Sequence, residues 1–366
     1  MKFTGLLLCL AAAIEVTLGA GTAAATCLSS GNEQAINNAL RGPDARVYLC
    51  PRAVFEISST IELSAPGQEL ATQGEPEEDS RAIIRVVGKN LSTAIESRSS
   101  NITLHHLIID GQRARLGRLE NGGALIDLGG DVTGVRVDHV RAFDPRGWST
   151  LHIIEGGKSC SDAQVTYNVI GPAGTPNHAW ADGISFACRN GLVAHNTVID
   201  ASDGAIVIFG APGTLVEDNT IMTRKNVLLG GINLVDYGPY AGNYTGVVVR
   251  NNRIEANGGF IKVAIAVGPA AWGDGYEHVN RGGAITNNRI VGNAFGYGIA
   301  VDGARDFTIT GNRVTGRLSG GSDGACDAGH APSGKAFIRD PSHSAGTYQS
   351  EFELGNARWS ICVQPP

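Results

Sequence analysis

One short pattern returns along the second half of the chain. It appears loosely as YNVIG (167–171), then as HNTVI (195–199), DNTIM (218–222), NNRIE (251–255), NNRIV (287–291) and GNRVT (311–315). Its asparagines stand at 168, 196, 219, 252, 288 and 312, so the intervals are 28, 23, 33, 36 and 24 residues. Each unit carries three short strand-like runs, for example TVI, AIVIF and TLVE, separated by DASDG and GAPG. Three strands per repeat with turns of unequal length describe one coil of a right-handed parallel β-helix. The Asn column fits that coil, because Asn tolerates a left-handed bend between strands and its amide can bond to the Asn one coil above.

Other repeat architectures fit less well. A propeller blade takes about 40–45 residues and four strands, and a doubly wound fold needs a helix of ten or more residues between strands. Units of 21 to 36 residues filled with β-branched runs leave room for neither. With 50 Gly, two Met and many Val, Ile, Thr and Asn, the composition agrees with an all-β, three-sheet solenoid.

The expected organisation is a signal peptide over 1–25, an N-terminal cap over 26–80, coils over 81–316 and a C-terminal cap over 317–366. The signal reading rests on Lys2, the apolar run from Leu6 to Ile14 and Ala23-Ala24-Ala25. Glu15 ends that run well short of the roughly 20 apolar residues of a membrane span. In the cap, NEQAINNALR (32–41) reads as a short amphipathic helix covering the open sheet edge. Without Cys9 six cysteines remain, which suits an oxidising compartment, and proximity pairs Cys27 with Cys50, Cys160 with Cys188, and Cys326 with Cys362. Sequons at Asn90, Asn101 and Asn243 are compatible with glycosylation. A net charge of −6 without a basic run argues against nucleic acid as partner. A secreted, extracellular monomer without a membrane anchor is the expectation.

The candidate site starts from two Asp-Gly pairs, WADGISFAC (180–188) and ASDGAIVIF (201–209), with the aspartates 21 residues apart (203 minus 182). Aligning the strands sets Asp182-Gly183-Ile184 under Asp203-Gly204-Ala205, with Gly230-Gly231-Ile232 above and Ser149-Thr150-Leu151 below. Two stacked carboxyls raise the pKa of one member, and a pair with one proton can supply both general acid and general base. Long turns on both sides of this strand carry Trp148, Trp180, Tyr237, Tyr240, Trp272 and Tyr276. Flat rings along a groove suit the faces of sugars.

A further outward column reads Asp127, His152, Ser185 and Asn233 on successive coils. No strained nucleophile elbow accompanies it, so hydrogen bonding to hydroxyls or a proton relay is expected of it rather than a nucleophilic triad. Arg146, Lys225 and Lys262 are candidates to meet a uronate carboxylate, and Asp182, Asp203 and Asp236 to hold Ca²⁺. No CxxC or His/Cys cluster calls for structural zinc.

The coil pattern, signal and cysteines together resemble the pectin-lyase-like β-helix superfamily, within it the polygalacturonases of glycoside hydrolase family 28, and a secreted fungal β-helix protein overall. That family carries Asn-Thr-Asp-Gly, then Asp-Asp about one coil later, then Gly-His-Gly and Arg-Ile-Lys. Here Trp180-Ala181-Asp182-Gly183 and Ser202-Asp203-Gly204 stand at the first two motifs. Gly204 replaces the second Asp, Gly230 falls where the His would be, and IAVG (265–268) replaces Arg and Lys. The resemblance implies fold and site location, and leaves two of three aspartates for hydrolysis.

The leading expectation is a carbohydrate-active enzyme of the inverting glycoside hydrolase type acting on a poly- or oligosaccharide without cofactor. Asp203 is its general acid and Asp182 its general base, with His152 and His178 tuning them. Rival expectations are a polysaccharide lyase or uronate epimerase using Ca²⁺, a glycan-binding protein without turnover, and a groove recruited to a small apolar substrate beside Leu228 and Leu229.

Overall fold

The computed structural model describes residues 27–175, 179–236, 238–273, 278–322 and 334–365. They form a right-handed parallel β-helix with three short α-helices. Three stacks of parallel strands run the length of the solenoid. The first climbs from Arg46–Leu49 to Ala345–Tyr348, the second from Val54–Ile57 to Arg313–Leu318, and the third from Ile61–Leu63 to Glu353–Leu354. The 13-residue strand Arg289–Val301 passes through the corner between the second and third stacks and joins them into one sheet. The coils therefore begin before Arg81 and continue past Gly316, because the outermost strands follow the same register without the Asn signature.

The interior is built of in-register columns. In the third stack Leu151, Ile184, Ile206, Ile232, Ile265 and Ile299 lie one above another, each 0% exposed. Burying one such side chain contributes roughly 1.5–3 kcal/mol. Parallel strands covered on both faces read as unbroken apolar runs, which is why AIVIF shows no alternation in the sequence.

The asparagines form a buried ladder. The amide Nδ2 of Asn168, Asn196, Asn219, Asn252 and Asn288 each donates to the Oδ1 of the next, at 2.9–3.0 Å. The second Nδ2 proton goes to a backbone carbonyl, from Val137 O for Asn168 to Ile285 O for Asn312. Gln349 Oε1 closes the top, accepting from Asn312 N–H at 3.0 Å. The left-handed residue is not the Asn but the one before it: Tyr167, His195, Asp218, Asn251, Asn287 and Gly311 have φ between 53° and 71°. The bend exposes that residue and turns the following Asn inward.

The expected helix spans Glu33–Ala39, with Asn32 Oδ1 accepting from Gln34 N–H at its start. Ile36 and Leu40 enter the core, and the Glu33 carboxylate accepts from Ser58 and Ser59. Cys27–Cys50 and Cys160–Cys188 are disulfides, with Cα atoms 4.9 and 4.7 Å apart. Cys362 is disulfide-bonded too, and Cys326 lies outside the described residues, as does the signal segment. Among the described residues no helix is long and apolar enough to cross a membrane.

Candidate active site

Ile184 pairs with Ile206, which sets Asp182 beside Gly204 rather than beside Asp203. The two aspartates are one residue out of register, so the alignment read from the two Asp-Gly pairs is corrected by one position. Both still line one cavity and their charges interact, across a bend where the strand starts. The ladder skips Gly183 between Ser149↔Asp182 and Leu151↔Ile184, and a Cβ on Gly183 would lie 2.5 Å from Ala205 O and 2.7 Å from the core methyl Val198 Cγ1. Across the bend, residues three apart come together on the outer side. The Ser185 hydroxyl donates to Asp182 Oδ2 (2.8 Å), and Ser149 Oγ lies 2.9 Å from Ser185 Oγ.

The same bend dictates two glycines. A Cβ on Gly204 would lie 2.2 Å from Val207 Cγ2, 2.8 Å from Asn233 Nδ2 and 3.0 Å from Asp182 Oδ1. A Cβ on Gly230 would lie 1.8 Å from Asn233 Oδ1. With no side chain in the way, the Gly204 N–H donates to Asp182 Oδ1 at 2.7 Å. Asn233 folds back over Gly230 fully buried, with neither amide atom hydrogen-bonded.

Asp182 and Asp203 lie at the floor of a cavity of about 490 Å³. Asp182 is buried and Asp203 partly exposed. Burial raises both carboxyls. Asp203 is pushed up to about 6, and Asp182 is raised further by the neighbouring Asp203 charge, against the bonds from Gly204 and Ser185 that favour its ionised form. The pair therefore keeps one proton at a pH where an exposed carboxyl has lost it.

The cavity is lined by Trp148, His152, Glu155, Asp182, Asp203, Val207, Phe209, Val235, Asp236 and Trp272. His152 Nδ1 is held by Asp127 Oδ1 at 3.0 Å, Asp127 is held in turn by Arg98 at 3.1 Å, and Trp148 and the imidazole meet in a T-shaped contact with centroids 4.9 Å apart. Asp236 Oδ2 lies 2.9 Å from His278 Nδ1.

Several expected site residues lie elsewhere. Arg146 is buried, and its guanidinium donates to the carbonyls of Gly88, Lys89, Leu91, Leu116 and Gly117, so it clamps backbone and meets no substrate. Lys225 is exposed on a turn whose amides cap Asp200, and Lys262 is buried; neither lines the cavity. Ser185 is buried behind Asp182, and Trp180 is exposed outside the lining. The Asp127, His152, Ser185, Asn233 column is broken by Val207, which pairs with both Ser185 and Asn233. Leu228 and Leu229 are buried in the coil. His178, Tyr237 and Tyr276 lie outside the described residues.

Asp182, Asp203 and Asp236 share the cavity without converging as Ca²⁺ ligands. Both Asp182 oxygens already accept hydrogen bonds and Asp236 is paired with His278. Among the described residues, ligand atoms converge within 4.8 Å only at His106, Asp138 and His139 and at Asp302, Asp340 and His343.

Glu155, Val207, Phe209 and Val235 were not anticipated as lining. Val207 and Phe209 sit in a continuous apolar run that hides which residues face outward. Glu155 lies just past its strand and carries no pattern.

The family model described as right handed beta helix region matches residues 158–314. Among solved structures, the chain is similar to an alginate lyase from Paenibacillus sp. str. FPU-7, with 14% identity over 90% of this chain and 100% of that one, at a TM-score of 0.57. It is also similar to endopolygalacturonase I from Stereum purpureum, complexed with two galacturonate, with 13% identity over 89% and 98% of the chains, at 0.55. Gene product 12 of bacteriophage phi29 shows 14% identity over 89% of this chain and 45% of that one, also at 0.55. At such identities the likeness is one of fold, a parallel β-helix. No curated protein matches the sequence.

Proposed function

We propose that the chain is a secreted carbohydrate-active enzyme that hydrolyses a glycosidic bond with the Asp182–Asp203 pair. The observation that carries this reading is the pair itself: two carboxyls from adjacent coils, both raised by burial, lining one cavity with Trp148 and Trp272. Two of the structural neighbours are named as enzymes of polysaccharides, and disulfides suit an oxidising compartment.

The pair's one proton reacts from Asp203, because the Gly204 amide and the Ser185 hydroxyl bond the ionised form of Asp182; Asp203, at the cavity face, delivers it to the leaving oxygen as the C–O bond breaks. Asp182, oriented by the Gly204 amide and the Ser185 hydroxyl, takes a proton from the water that attacks the anomeric carbon. His152, fixed through Asp127, and the rings of Trp148 and Trp272 position the sugar. A lyase or epimerase would need a cation beside a uronate carboxylate, and no lysine or arginine is among the described lining residues.

Purified protein incubated with neutral and uronate glycans and glycosides, with and without EDTA, should release reducing ends insensitive to chelation and no ultraviolet-absorbing unsaturated product. Asp203→Asn should lower the rate about 10²–10⁴-fold with an unchanged circular dichroism spectrum. Near-normal turnover in that variant, or no release from any substrate, would overturn the reading.

A further inference from the structure

The charge and polarity of the cavity narrow its substrate, an inference that rests on the hydrolase reading above. Among the described residues, four of the ten lining side chains are carboxyls, Glu155, Asp182, Asp203 and Asp236, and none is lysine or arginine. The three cations the sequence offered to a uronate are placed elsewhere: Arg146 on five carbonyls, Lys225 on an outer turn, Lys262 inside the coil. His152 is tied to Asp127 and His278 to Asp236, so each imidazole already faces a carboxylate. A uronate chain would bring further negative charge into a site of that sign at low dielectric, which disfavours binding.

Apart from His152, the rest of the described lining is apolar or aromatic. Val207 and Phe209 project from the strand that begins beside Asp203, Val235 follows the strand one coil above, and Trp148 and Trp272 are the walls. A subsite for a second sugar needs donors and acceptors for its hydroxyls, because a polar group buried against hydrocarbon without a partner costs free energy. These five side chains offer hydrocarbon, with one indole N–H from each tryptophan. The volume of about 490 Å³ falls in the range of small-molecule sites.

We propose that the cavity takes a neutral glycoside with an apolar aglycone, the sugar over Asp182, Asp203 and Asp236 and the aglycone against Val207, Phe209 and Val235. The exocyclic C–O bond breaks, the aglycone oxygen leaves with the Asp203 proton, and water adds to the anomeric carbon and yields its proton to Asp182.

The test compares 2-naphthyl α- and β-glycosides of glucose, galactose, xylose and rhamnose with polygalacturonate and alginate, following naphthol and reducing ends. At least one naphthyl glycoside should be cleaved with kcat/KM about 100-fold above either polyuronate, and Phe209→Ser should raise its KM about tenfold. Comparable or faster cleavage of a polyuronate would overturn the substrate class and leave the hydrolase reading standing. Should nothing be cleaved, the hydrolase reading fails, and calorimetric titration of Asp203→Asn with 2-naphthyl glucosides and trigalacturonate decides the class. Tighter binding of naphthyl glucoside supports it, and tighter or equal binding of trigalacturonate overturns it.

Discussion

At the residue scale, chemistry depends on which groups are already committed to the fold. Arg146 is the clearest case: a cation expected to grip substrate is consumed by five carbonyls, which stops two loop segments from leaving buried acceptors unpaired. Asp203 is the converse, a turn residue by composition that burial turns into an acid of pKa about 6. The mechanism needs one proton on the pair, so kcat should fall toward acid as both carboxyls become protonated and fall again toward base as the last proton leaves, a bell that a pH–rate profile would show. The same shift has a stability sign. The folded state binds this proton more tightly than the unfolded chain, so the contribution of Asp203 is present at low pH and is lost between the ordinary value of 3.8 and about 6.

At the element scale, the turns carry two ladders, one amide and one aromatic. Asn219 Oδ1 accepts from both Asn196 N–H and Nδ2, while its own Nδ2 satisfies Val193 O and Asn252 Oδ1. Asn219→Ala leaves those partners buried and unpaired, and should lower stability by about 2–4 kcal/mol, read from the urea midpoint. One residue earlier, on the outside of the same turns, His106, His139, Tyr167 and His195 stack with centroids 4.7, 5.1 and 4.7 Å apart, the spacing of the coils. Burial, then the charges of His139, His105 and Arg81, holds His106 below the imidazole value of 6.5. The unfolded chain therefore takes this proton first, and the contribution of His106 is lost as pH falls from 6.5 through its lowered value. Thermal melts of the parent and His106→Asn between pH 7.5 and 5 should converge toward acid, because only the parent carries that penalty.

At the scale of the whole molecule, each coil meets only its neighbours, so stability is nearly a sum of coil and interface terms. Clips that tie coils together matter in such a molecule. Cys27–Cys50 closes 23 residues at the capped end and Cys160–Cys188 closes 28, tying the coil of Asp182 to the one before it. Each should contribute about 3–4 kcal/mol by restricting the unfolded chain. Reduction with dithiothreitol should lower the denaturant midpoint well beyond the effect of any exposed substitution, and an unchanged midpoint would show that the coils need no clip.

The sequence by itself determined the solenoid, the capping helix, two disulfide pairings and the neighbourhood of Asp182 and Asp203, because these follow from local periodicity and from what Asn, Gly and Cys can do. It did not determine the first and last coils, whose strands lack the Asn mark, or which member of each turn is left-handed. Only the tertiary structure decided the one-residue offset of the aspartates, since the bend at Gly183 depends on strands above and below it. The fates of Arg146, Ser185 and Asn233, and the outward direction of Val207 and Phe209, were likewise settled by packing between coils far apart in sequence. A charge is available to a substrate only if no neighbouring backbone claims it, and that is a property of the assembled solenoid.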